Sequence, residues 1–230
     1  MNTPGRAGGD VPSATDADAR LRADRDAALA FKRQFFWNAF KALVYNGIDG
    51  DYVEFGCHGA VTFRLAFDQI QQRGGGRHLW AFDSFQGLPA QDGAKDQHPV
   101  WQAGAMATSE ADFHALCRAH GILPEQYTAV AGFYDDTLPR LEPVAAPANI
   151  ALAYVDCDLY SSTTTVLDFV RPRLKPGMLI AFDDYFCWSA TQPSGERQAF
   201  LEFEASLPAW RFVRYRDFGW AGVSYAVERA

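Results

Sequence analysis

Short apolar runs alternate with segments of helical periodicity through most of the chain. The runs predict five strands, at residues 52–55, 78–82, 128–131, 150–155 and 178–182. Helices are predicted between these strands, near residues 60–72, 111–119 and 161–171. Because strands that alternate with helices form βαβ units, the pattern predicts an α/β fold whose parallel sheet carries helices on both faces.

The N-terminal part of the chain follows a different pattern. Residues 1–25 are rich in Gly, Pro, Ala, Asp and Ser and lack apolar periodicity, so we expect a flexible tail there. Apolar residues then recur at helical spacing over residues 27–45. This spacing predicts an amphipathic helix that covers one side of the domain.

The C-terminal part predicts an antiparallel addition to the sheet. A helix near residues 196–206 is followed by apolar runs at 211–215 and 223–227. Residues 217–219, with the sequence Asp-Phe-Gly, lie between the two runs and are typical of a tight turn, so the runs are expected to form a hairpin. With no internal repeat and no linker, residues 26–230 are predicted to be a single domain.

The composition is that of a protein with a large buried core. Of the 230 residues, 48% are hydrophobic and 14% are aromatic, and the four cysteines are scattered without a CxxC pair. We interpret these cysteines as buried thiols of a cytoplasmic protein. The net charge of -7 and the lack of a Lys/Arg cluster argue against nucleic acid as a substrate. The sequence also shows no signal peptide or apolar span, so we expect no membrane partner.

Residues 89–109 have no clear period and are rich in Gly, Pro and Asp. A loop of this length within a compact domain is usually either functional or disordered. We favour a lid over a floppy insertion, because Trp101 and Met106 would otherwise hold apolar groups in water. His98 could contact a substrate from this lid, although a solvated loop histidine is the simpler interpretation.

The first predicted strand ends at a glycine-containing loop. Glu54 is followed by Gly56 and Gly59 before a helix begins. Ligands of an open parallel sheet bind at the carboxyl ends of its strands, where helix N-termini offer backbone N–H groups. His58 stands where a dinucleotide fingerprint needs glycine, which argues against NAD as the ligand.

The second predicted strand ends in Asp83. An acid at this place commonly accepts hydrogen bonds from the two ribose hydroxyls of a nucleoside, whereas an Asx turn or a helix cap is the alternative explanation. Together with the glycine-containing loop, Asp83 favours an adenosine-containing ligand. The candidate cofactor contacts at the two strand ends are Glu54, Phe55, Gly56, Gly59, Asp83 and Ser84.

The fourth and fifth predicted strands also end in acidic residues. Asp156 and Asp158 follow the fourth strand, and Asp183 and Asp184 follow the fifth. Adjacent parallel strands lie about 4.8 Å apart, so these carboxylates are expected to converge. Because converging negative charges need neutralisation, we favour a hard divalent cation, Mg²⁺ or a relative such as Mn²⁺, over simple capping by each aspartate.

A cation at this place could bind an acceptor hydroxyl and lower its pKa, while a free oxygen of Asp156 accepts the proton. Other common chemistries lack their motifs. The five histidines show no HxxH or HExxH spacing, and the sequence has no GxSxG elbow and no P-loop. A histidine metal site, a serine hydrolase and a nucleotide kinase are therefore not indicated.

Five motifs stand in order between residues 46 and 185: NGIDGDYVEFG, FDSFQGLP, GFYDDTLP, VDCDLYSST and DDY. Together they resemble the macrocin O-methyltransferase family, which includes sugar O-methyltransferases of antibiotic pathways. The resemblance covers most of the predicted domain. It departs from the family pattern at the first glycine loop, which reads Gly56-Cys57-His58-Gly59-Ala60 where family members often carry a second adjacent glycine.

The resemblance implies a Rossmann-like class I methyltransferase fold with a seven-stranded sheet and S-adenosylmethionine as the methyl donor. It implies that Mg²⁺ is bound by Asp156, Asp183 and Asp184, and that Asp156 is the general base. Gly132 and Phe133 match a segment that lies near the adenine in this family. No one member resembles the lid, or the region after Tyr185, closely enough to imply an acceptor.

Three functions follow as hypotheses. The first is O-methylation of a hydroxyl on a sugar or glycosylated natural product, and the second is N-methylation of an aminosugar on the same fold. The third is a catalytically idle nucleoside-binding scaffold, against which the three retained aspartates argue. Because relatives form oligomers, a homo-oligomer is a further expectation.

Overall fold

A seven-stranded sheet with the order β3-β2-β1-β4-β5-β7-β6 runs through the protein. The computed structural model describes residues 14–190 and 193–230. Strands β1 to β5 pair in parallel, whereas β7 pairs antiparallel with both β5 and β6. The strands are β1 (Asp51–Phe55), β2 (Leu79–Asp83), β3 (Tyr127–Ala131), β4 (Ile150–Val155), β5 (Leu179–Phe182), β6 (Trp210–Phe218) and β7 (Gly222–Arg229).

All seven predicted strands are present, and the predicted C-terminal hairpin is formed by β6 and β7. The turn of this hairpin lies later than predicted. Phe218 is still part of β6, and the chain reverses over residues 219–221. Phe218 stays in the strand because its buried ring stacks on Phe35, with 4.2 Å between the ring centroids.

Six α-helices of the described chain connect or cover the strands. They are α1 (Ala14–Tyr45), α2 (Val61–Gln72), α3 (Glu110–Ala119), α4 (Tyr134–Thr137), α5 (Tyr160–Val170) and α6 (Gly195–Ala205). The helices predicted near residues 60–72, 111–119, 161–171 and 196–206 appear within a few residues of their expected ends. In the described part of the chain, no helix has both the length and the apolarity that a membrane crossing requires.

The first helix begins earlier in the sequence than predicted. Residues 1–13 lie outside the described residues, but residues 14–25 belong to α1, which begins 13 residues before the predicted helix. The side chains that the structure describes at residues 18–27 are exposed, so this first part of α1 has no apolar period by which it could be recognised. Helix-forming Ala and Arg residues continue the helix beyond the packed region.

The two faces of the sheet carry separate apolar cores. Along β1 and β4, Tyr52 and Tyr154 point into a core shared with α1, α2 and α3, whereas Val53 and Val155 point into a core shared with α5 and α6. This division follows from the alternation of side chains along a strand. Helices therefore cover both faces, as the pattern of apolar runs predicted, and the carboxyl ends of the parallel strands remain open at one edge.

Candidate active site

A cavity of about 710 Å³ opens at the carboxyl ends of β1, β2, β4 and β5. Its volume is within the range of about 300–1,000 Å³ typical of small-molecule sites. The order of the strands reverses at β1, whose two neighbours are β2 and β4. Ligands of open α/β sheets bind at such a reversal, because the loops that follow the two central strands diverge there.

Three aspartates gather where β4 and β5 end. Val155 is paired with Phe182 in the two strands, so Asp156 and Asp183, which follow them, emerge side by side. Carboxylate oxygens of Asp156, Asp183 and Asp184 lie within 4.8 Å of one another, and all three side chains line the cavity. The predicted convergence of these residues is therefore present in the structure. Asp158 lines the same region, and we call these four residues the acidic floor.

A cation from α1 neutralises part of the acidic floor. Lys32 Nζ lies 2.5 Å from Asp183 Oδ2, and the Tyr154 hydroxyl donates to Asp183 Oδ1 at 2.6 Å. Burial opposes the charge of Lys32, yet the carboxylates of Asp183 and Asp156 raise its pKa above the ordinary value. The ammonium group is therefore held in its charged form by the aspartates it contacts.

Burial has the opposite consequence for the acids themselves. It raises the pKa of Asp156 well above its usual range, and the neighbouring Asp183 adds to the shift. It likewise raises the pKa of Asp158, where repulsion from Asp184 adds to the effect. Further positive charge beside these residues would stabilise the charged forms of Asp156 and Asp158.

A buried glutamate fixes the backbone around the acidic floor. Glu196, from α6, is fully buried and accepts hydrogen bonds from the Cys157 N–H at 3.0 Å and the Asp184 N–H at 2.9 Å. One carboxylate thus ties the residue after Asp156 to one of the residues after β5. This bridge holds the ends of the two strands at a fixed separation.

The donor set fits a hard divalent cation. Asp156, Asp183 and Asp184 offer carboxylate oxygens, which such ions prefer, within one small volume. Each oxygen of Asp183 already accepts one hydrogen bond, but a carboxylate has about four lone-pair positions, so acceptor capacity remains. Burial and the neighbouring Asp183 raise the pKa of the Asp156 carboxyl, so a bound cation would favour its charged form.

Gly56 brings β1 against the acidic floor. It lines the cavity at φ +89°, and a Cβ atom there would lie 1.8 Å from the backbone oxygen of Asp156. Any side chain would therefore separate the ends of β1 and β4 or distort them. The glycine identified from sequence is needed for this close approach of two strand ends.

Asp83 joins the glycine-containing loop to the loop after β2. Its Oδ2 accepts from the Cys57 N–H at 2.6 Å, and its Oδ1 accepts from the Phe85 N–H at 2.7 Å. The second bond is the Asx turn that the sequence offered as the alternative explanation. Asp83 also lines the cavity, as do Ser84 and Phe133, so the turn and a ligand contact are compatible.

Four predicted cofactor contacts do not line the cavity: Glu54, Phe55, Gly59 and Gly132. Glu54 is fully buried, where it accepts hydrogen bonds from the hydroxyls of Tyr52 and Thr62. Burial raises the pKa of the Glu54 carboxyl to about 8, although both hydrogen bonds favour the charged form. Tyr52 precedes Glu54 by two residues, so the two side chains lie on the same face of β1. Helices α1 and α2 cover that face.

The other three lie close to the cavity without facing it. Phe55 is buried and stacks on Phe82, with 5.1 Å between the ring centroids. The Gly59 N–H donates to Thr108 Oγ1 at 2.9 Å, so the glycine-containing loop is joined to the predicted lid. At Gly132 a Cβ atom would lie 2.6 Å from a Thr137 methyl group. Close packing against Thr137 therefore accounts for a glycine at this position.

The predicted lid over residues 89–109 is mostly exposed and is held to the domain at a few anchored positions. It has a single short 3₁₀ turn, Ala94–Asp96, within which Asp96 is fully buried and accepts from the N–H and hydroxyl of Ser161. Trp101 is only 5% exposed, and the His98 ring stacks on it at 3.9 Å. His98 and Trp101 both line the cavity, so the histidine is placed where a substrate could reach it.

A family model described as Macrocin-O-methyltransferase (TylF) matches residues 31–204. The chain belongs to the macrocin O-methyltransferase family. The matched residues begin in α1, just before Lys32, and end in α6. They therefore include every residue of the acidic floor, together with Lys32, Asp83 and Glu196.

Curated O-methyltransferases are among the proteins that this member of the macrocin O-methyltransferase family resembles. It is 33% identical over 155 residues to 8-demethyl-8-(2,3-dimethoxy-alpha-L-rhamnosyl)-tetracenomycin-C 4'-O-methyltransferase of Streptomyces olivaceus, covering 63% of this chain and 56% of the relative. It is 30% identical over 153 residues to mycinamicin III 3''-O-methyltransferase of Micromonospora griseorubida, covering 61% and 57%. The matched region thus spans little more than half the length of these relatives.

Solved structures show the same architecture. The O-methyltransferase NovP matches with a TM-score of 0.69 and 25% identity, covering 85% of this chain and 79% of that one. The calicheamicin methyltransferase CalS11 matches with a TM-score of 0.71 and 20% identity, covering 97% and 99%. This macrocin O-methyltransferase family member therefore has the class I methyltransferase fold, as its sequence motifs implied.

Sequence reasoning missed two residues that shape the acidic floor of this family member. Lys32 stands three residues before Phe35 and four before Phe36, which are both buried, so it lies on the same face of α1. The helical period predicts an apolar residue at this position. That interruption was a usable signal. Glu196 gave no such signal, because an acid near the start of a helix is an ordinary feature of exposed helices.

Proposed function

We propose that this protein transfers a methyl group from S-adenosylmethionine to a hydroxyl of a sugar or glycosylated natural product, with Mg²⁺ or Mn²⁺ held by Asp156, Asp183 and Asp184. The observation that carries the proposal is the convergence of these three carboxylates within 4.8 Å in the cavity that Asp83 also lines. An acidic cluster beside a nucleoside pocket matches a reaction that must deprotonate a hydroxyl next to a cationic donor.

The donor would bind at the ends of β1 and β2. Both oxygens of Asp83 are held by backbone N–H groups, which leaves lone pairs on each oxygen for the two ribose hydroxyls. Ser84, Gly56 and Phe133 line the same part of the cavity. The negative charge of the acidic floor would also attract the sulfonium group of the donor.

The acceptor hydroxyl would lie at the acidic floor, next to Asp156. In the proposed step an oxygen of Asp156 accepts the hydroxyl proton while the acceptor oxygen bonds to the methyl carbon, and the carbon–sulfur bond breaks to leave neutral S-adenosylhomocysteine. A divalent cation, when bound, supplies positive charge that lowers the pKa of an adjacent hydroxyl. Lys32 and Tyr154 hold Asp183 in place, and Glu196 fixes the backbone beside Asp156 and at Asp184.

The proposed acceptor class follows the relatives. The tetracenomycin enzyme is named for methylation of a rhamnosyl group, and the mycinamicin enzyme is likewise an O-methyltransferase of an antibiotic. The N-methyltransferase alternative places less weight on the metal, because an amine needs a base more than a Lewis acid. The scaffold alternative predicts that the protein transfers no methyl group to any acceptor.

A single mass-spectrometric experiment separates these functions. Glycosides that carry either free hydroxyls or an amine are incubated with the protein, S-adenosylmethionine and Mg²⁺, with and without excess EDTA. We expect a mass gain of one methyl on a hydroxyl, which is lost with EDTA and restored by added Mg²⁺. A rate unaffected by EDTA would reject the metal-assisted reaction, methylation of nitrogen would favour the alternative, and no turnover on any glycoside would favour the scaffold.

A further inference from the structure

Lys32 is the residue through which α1 contacts the acidic floor. It lines the cavity, and its ammonium group lies 2.5 Å from Asp183 Oδ2. The side chain of Lys32 is 27% exposed and that of Asp183 is 12% exposed, so water screens this ion pair only in part. Arg25, also on α1, lines the cavity as well, but it is exposed. The fold therefore supplies the acidic floor with a cation of its own.

The carboxylate that Lys32 contacts is also one of the three proposed ligands of a divalent cation. Oxygens of Asp156, Asp183 and Asp184 lie within 4.8 Å of one another. Asp183 Oδ1 accepts a hydrogen bond from the Tyr154 hydroxyl at 2.6 Å, and Oδ2 accepts one from Lys32. A divalent cation bound by Asp183 would share this carboxylate with the ammonium group. Like charges at such close range repel strongly where little water screens them, so the two cations oppose each other.

The lysine side chain can leave its carboxylate partner without moving α1. Phe35 and Phe36, which follow it by three and four residues, are both buried. The Phe35 ring stacks on Phe218 with 4.2 Å between the centroids, and the Phe36 ring stacks on Tyr154 at 5.2 Å. These contacts hold the helix independently of the ion pair. Because Lys32 has a flexible four-carbon stem and borders a cavity of about 710 Å³, rotation about its own bonds can carry the ammonium group away.

We propose that Lys32 is an internal counter-ion that competes with the divalent cation for Asp183 and thereby sets the cation affinity of the acidic floor. The inference rests on the proposed function, because Asp183 is assigned there as a cation ligand. Before a cation binds, the ammonium group stabilises the negative charge of Asp183. Cation binding displaces the ammonium group from Asp183 Oδ2, so the loss of this ion pair weakens the observed cation affinity. Lys32 acts through Asp183 and does not itself contact the cation.

Binding of Mn²⁺ tests the competition without relying on turnover. Electron paramagnetic resonance of free Mn²⁺ gives the dissociation constant without donor or acceptor present. Lys32→Met should bind Mn²⁺ at least about tenfold more tightly than wild type, because the competing positive charge is gone. Lys32→Arg keeps that charge and should stay within about threefold of wild type. Arg33→Met, one residue later on the exposed face of α1, is the matched control and should bind Mn²⁺ as wild type does.

Three outcomes of this measurement would overturn the inference. The first is an unchanged or weaker Mn²⁺ affinity in Lys32→Met. The second is an equal gain in Lys32→Met and Lys32→Arg, because the charge of residue 32 would then not be the cause. The third is a gain of the same size in Arg33→Met, which would assign the effect to the net charge of the protein and not to the position of Lys32.

Chemical labelling of the wild-type protein tests the displacement itself. Lys175 is the matched internal reference, because its side chain is 24% exposed and its ammonium group lies 2.9 Å from Asp49 Oδ1, although it does not line the cavity. Acetylation of both lysines is followed by mass spectrometry with and without saturating Mg²⁺. Mg²⁺ should raise the acetylation rate of Lys32 at least about threefold, because the released amine is no longer held in an ion pair, and leave Lys175 unchanged. An equal rate for Lys32 in both conditions would reject the displacement.

The two proposals fail in different ways. A protein that binds Mn²⁺ more tightly as Lys32→Met but methylates no glycoside would contradict the proposed function and leave Lys32 assigned as the counter-ion. A protein whose methyl transfer is lost with EDTA, but whose Lys32→Met variant binds Mn²⁺ as wild type does, would keep the proposed function and overturn this inference. A lack of Mn²⁺ binding in wild type and every variant would overturn both the inference and the metal-assisted reaction.

Discussion

At the acidic floor the side chains are buried or half-buried, whereas at the mouth of the cavity Trp220 and Val100 expose most of their surface. Asp183 is held by Lys32 and Tyr154 on α1 and β4. The apolar residues at the mouth, Leu29, Val100, Met106 and Trp220, come instead from the N-terminal helix, the lid and a hairpin turn. The difference teaches how the two regions can act: charged groups work best from fixed positions, whereas exposed apolar side chains beside a cavity offer area that a ligand can cover.

The largest expected effect is at the acidic floor. Asp156→Asn should lower kcat by about 10²- to 10⁴-fold, because an amide cannot accept the hydroxyl proton. The affinity for S-adenosylmethionine should change little, since Asp83 and Gly56 lie on the donor side. Kinetics and calorimetry on the same preparation measure both quantities. If donor affinity falls as far as kcat, Asp156 serves the donor and the separation of the two sides is wrong.

The donor side should respond in the opposite sense. Asp83→Ala is expected to weaken S-adenosylmethionine binding by about 10- to 100-fold, because it removes a charged acceptor of ribose hydroxyls. It also removes the acceptor of the Cys57 and Phe85 N–H groups, so Asp83→Asn, which keeps one carbonyl acceptor, is the matched control. An unchanged dissociation constant in the alanine variant would reject Asp83 as a donor contact.

Lys32 is predicted to connect the stability of the fold to the acidic floor. Lys32→Met should lower the free energy of unfolding by roughly 1–3 kcal/mol, because the carboxylate of Asp183 loses its buried counter-charge. Added Mg²⁺ should restore more stability to this variant than to the wild type. Urea unfolding with and without Mg²⁺ measures both effects. Arg33→Met, one residue later on the exposed face of α1, is the control and should show neither.

The last prediction concerns the pH dependence of stability through Glu54, which is fully buried. The carboxyl has an ordinary pKa of 4.5 and a pKa of about 8 in the fold. Between these values the unfolded chain loses the proton and the folded chain keeps it, so stability falls as pH rises, by up to about 1.4 kcal/mol per pH unit. Glu54→Gln should remove this contribution.

The measurement is urea unfolding of wild type and Glu54→Gln at pH 5.5, 6.5 and 7.5. The difference in unfolding free energy between the two proteins should shift steadily in favour of the variant as pH rises. A constant difference would mean that Glu54 is already ionised in the folded protein. A strong loss of S-adenosylmethionine affinity in Glu54→Gln would instead support the prediction from sequence that Glu54 contacts the cofactor.

The amino-acid sequence by itself determined the sheet, the order of its elements and the convergence of Asp156, Asp183 and Asp184. Apolar runs that alternate with helices leave few topologies, and residues that follow paired parallel strands must emerge together. Side-chain alternation could also have placed Glu54 beside Tyr52 in the core, since the two are separated by one residue of β1. The five sequence motifs, in their order along the chain, indicated the macrocin O-methyltransferase family.

Only the tertiary structure decided which distant residues complete the cavity. Lys32 meets Asp183 across 151 positions of sequence, and Glu196 meets the Cys157 and Asp184 backbone from α6. Trp220 reaches the cavity mouth because the β6–β7 turn lies beside the lid and α1. Local periodicity reports which face of an element is buried, but it does not report which element will cover that face. Long-range packing makes that choice, and here it brought a cation to the acidic floor and an indole to the mouth of the cavity.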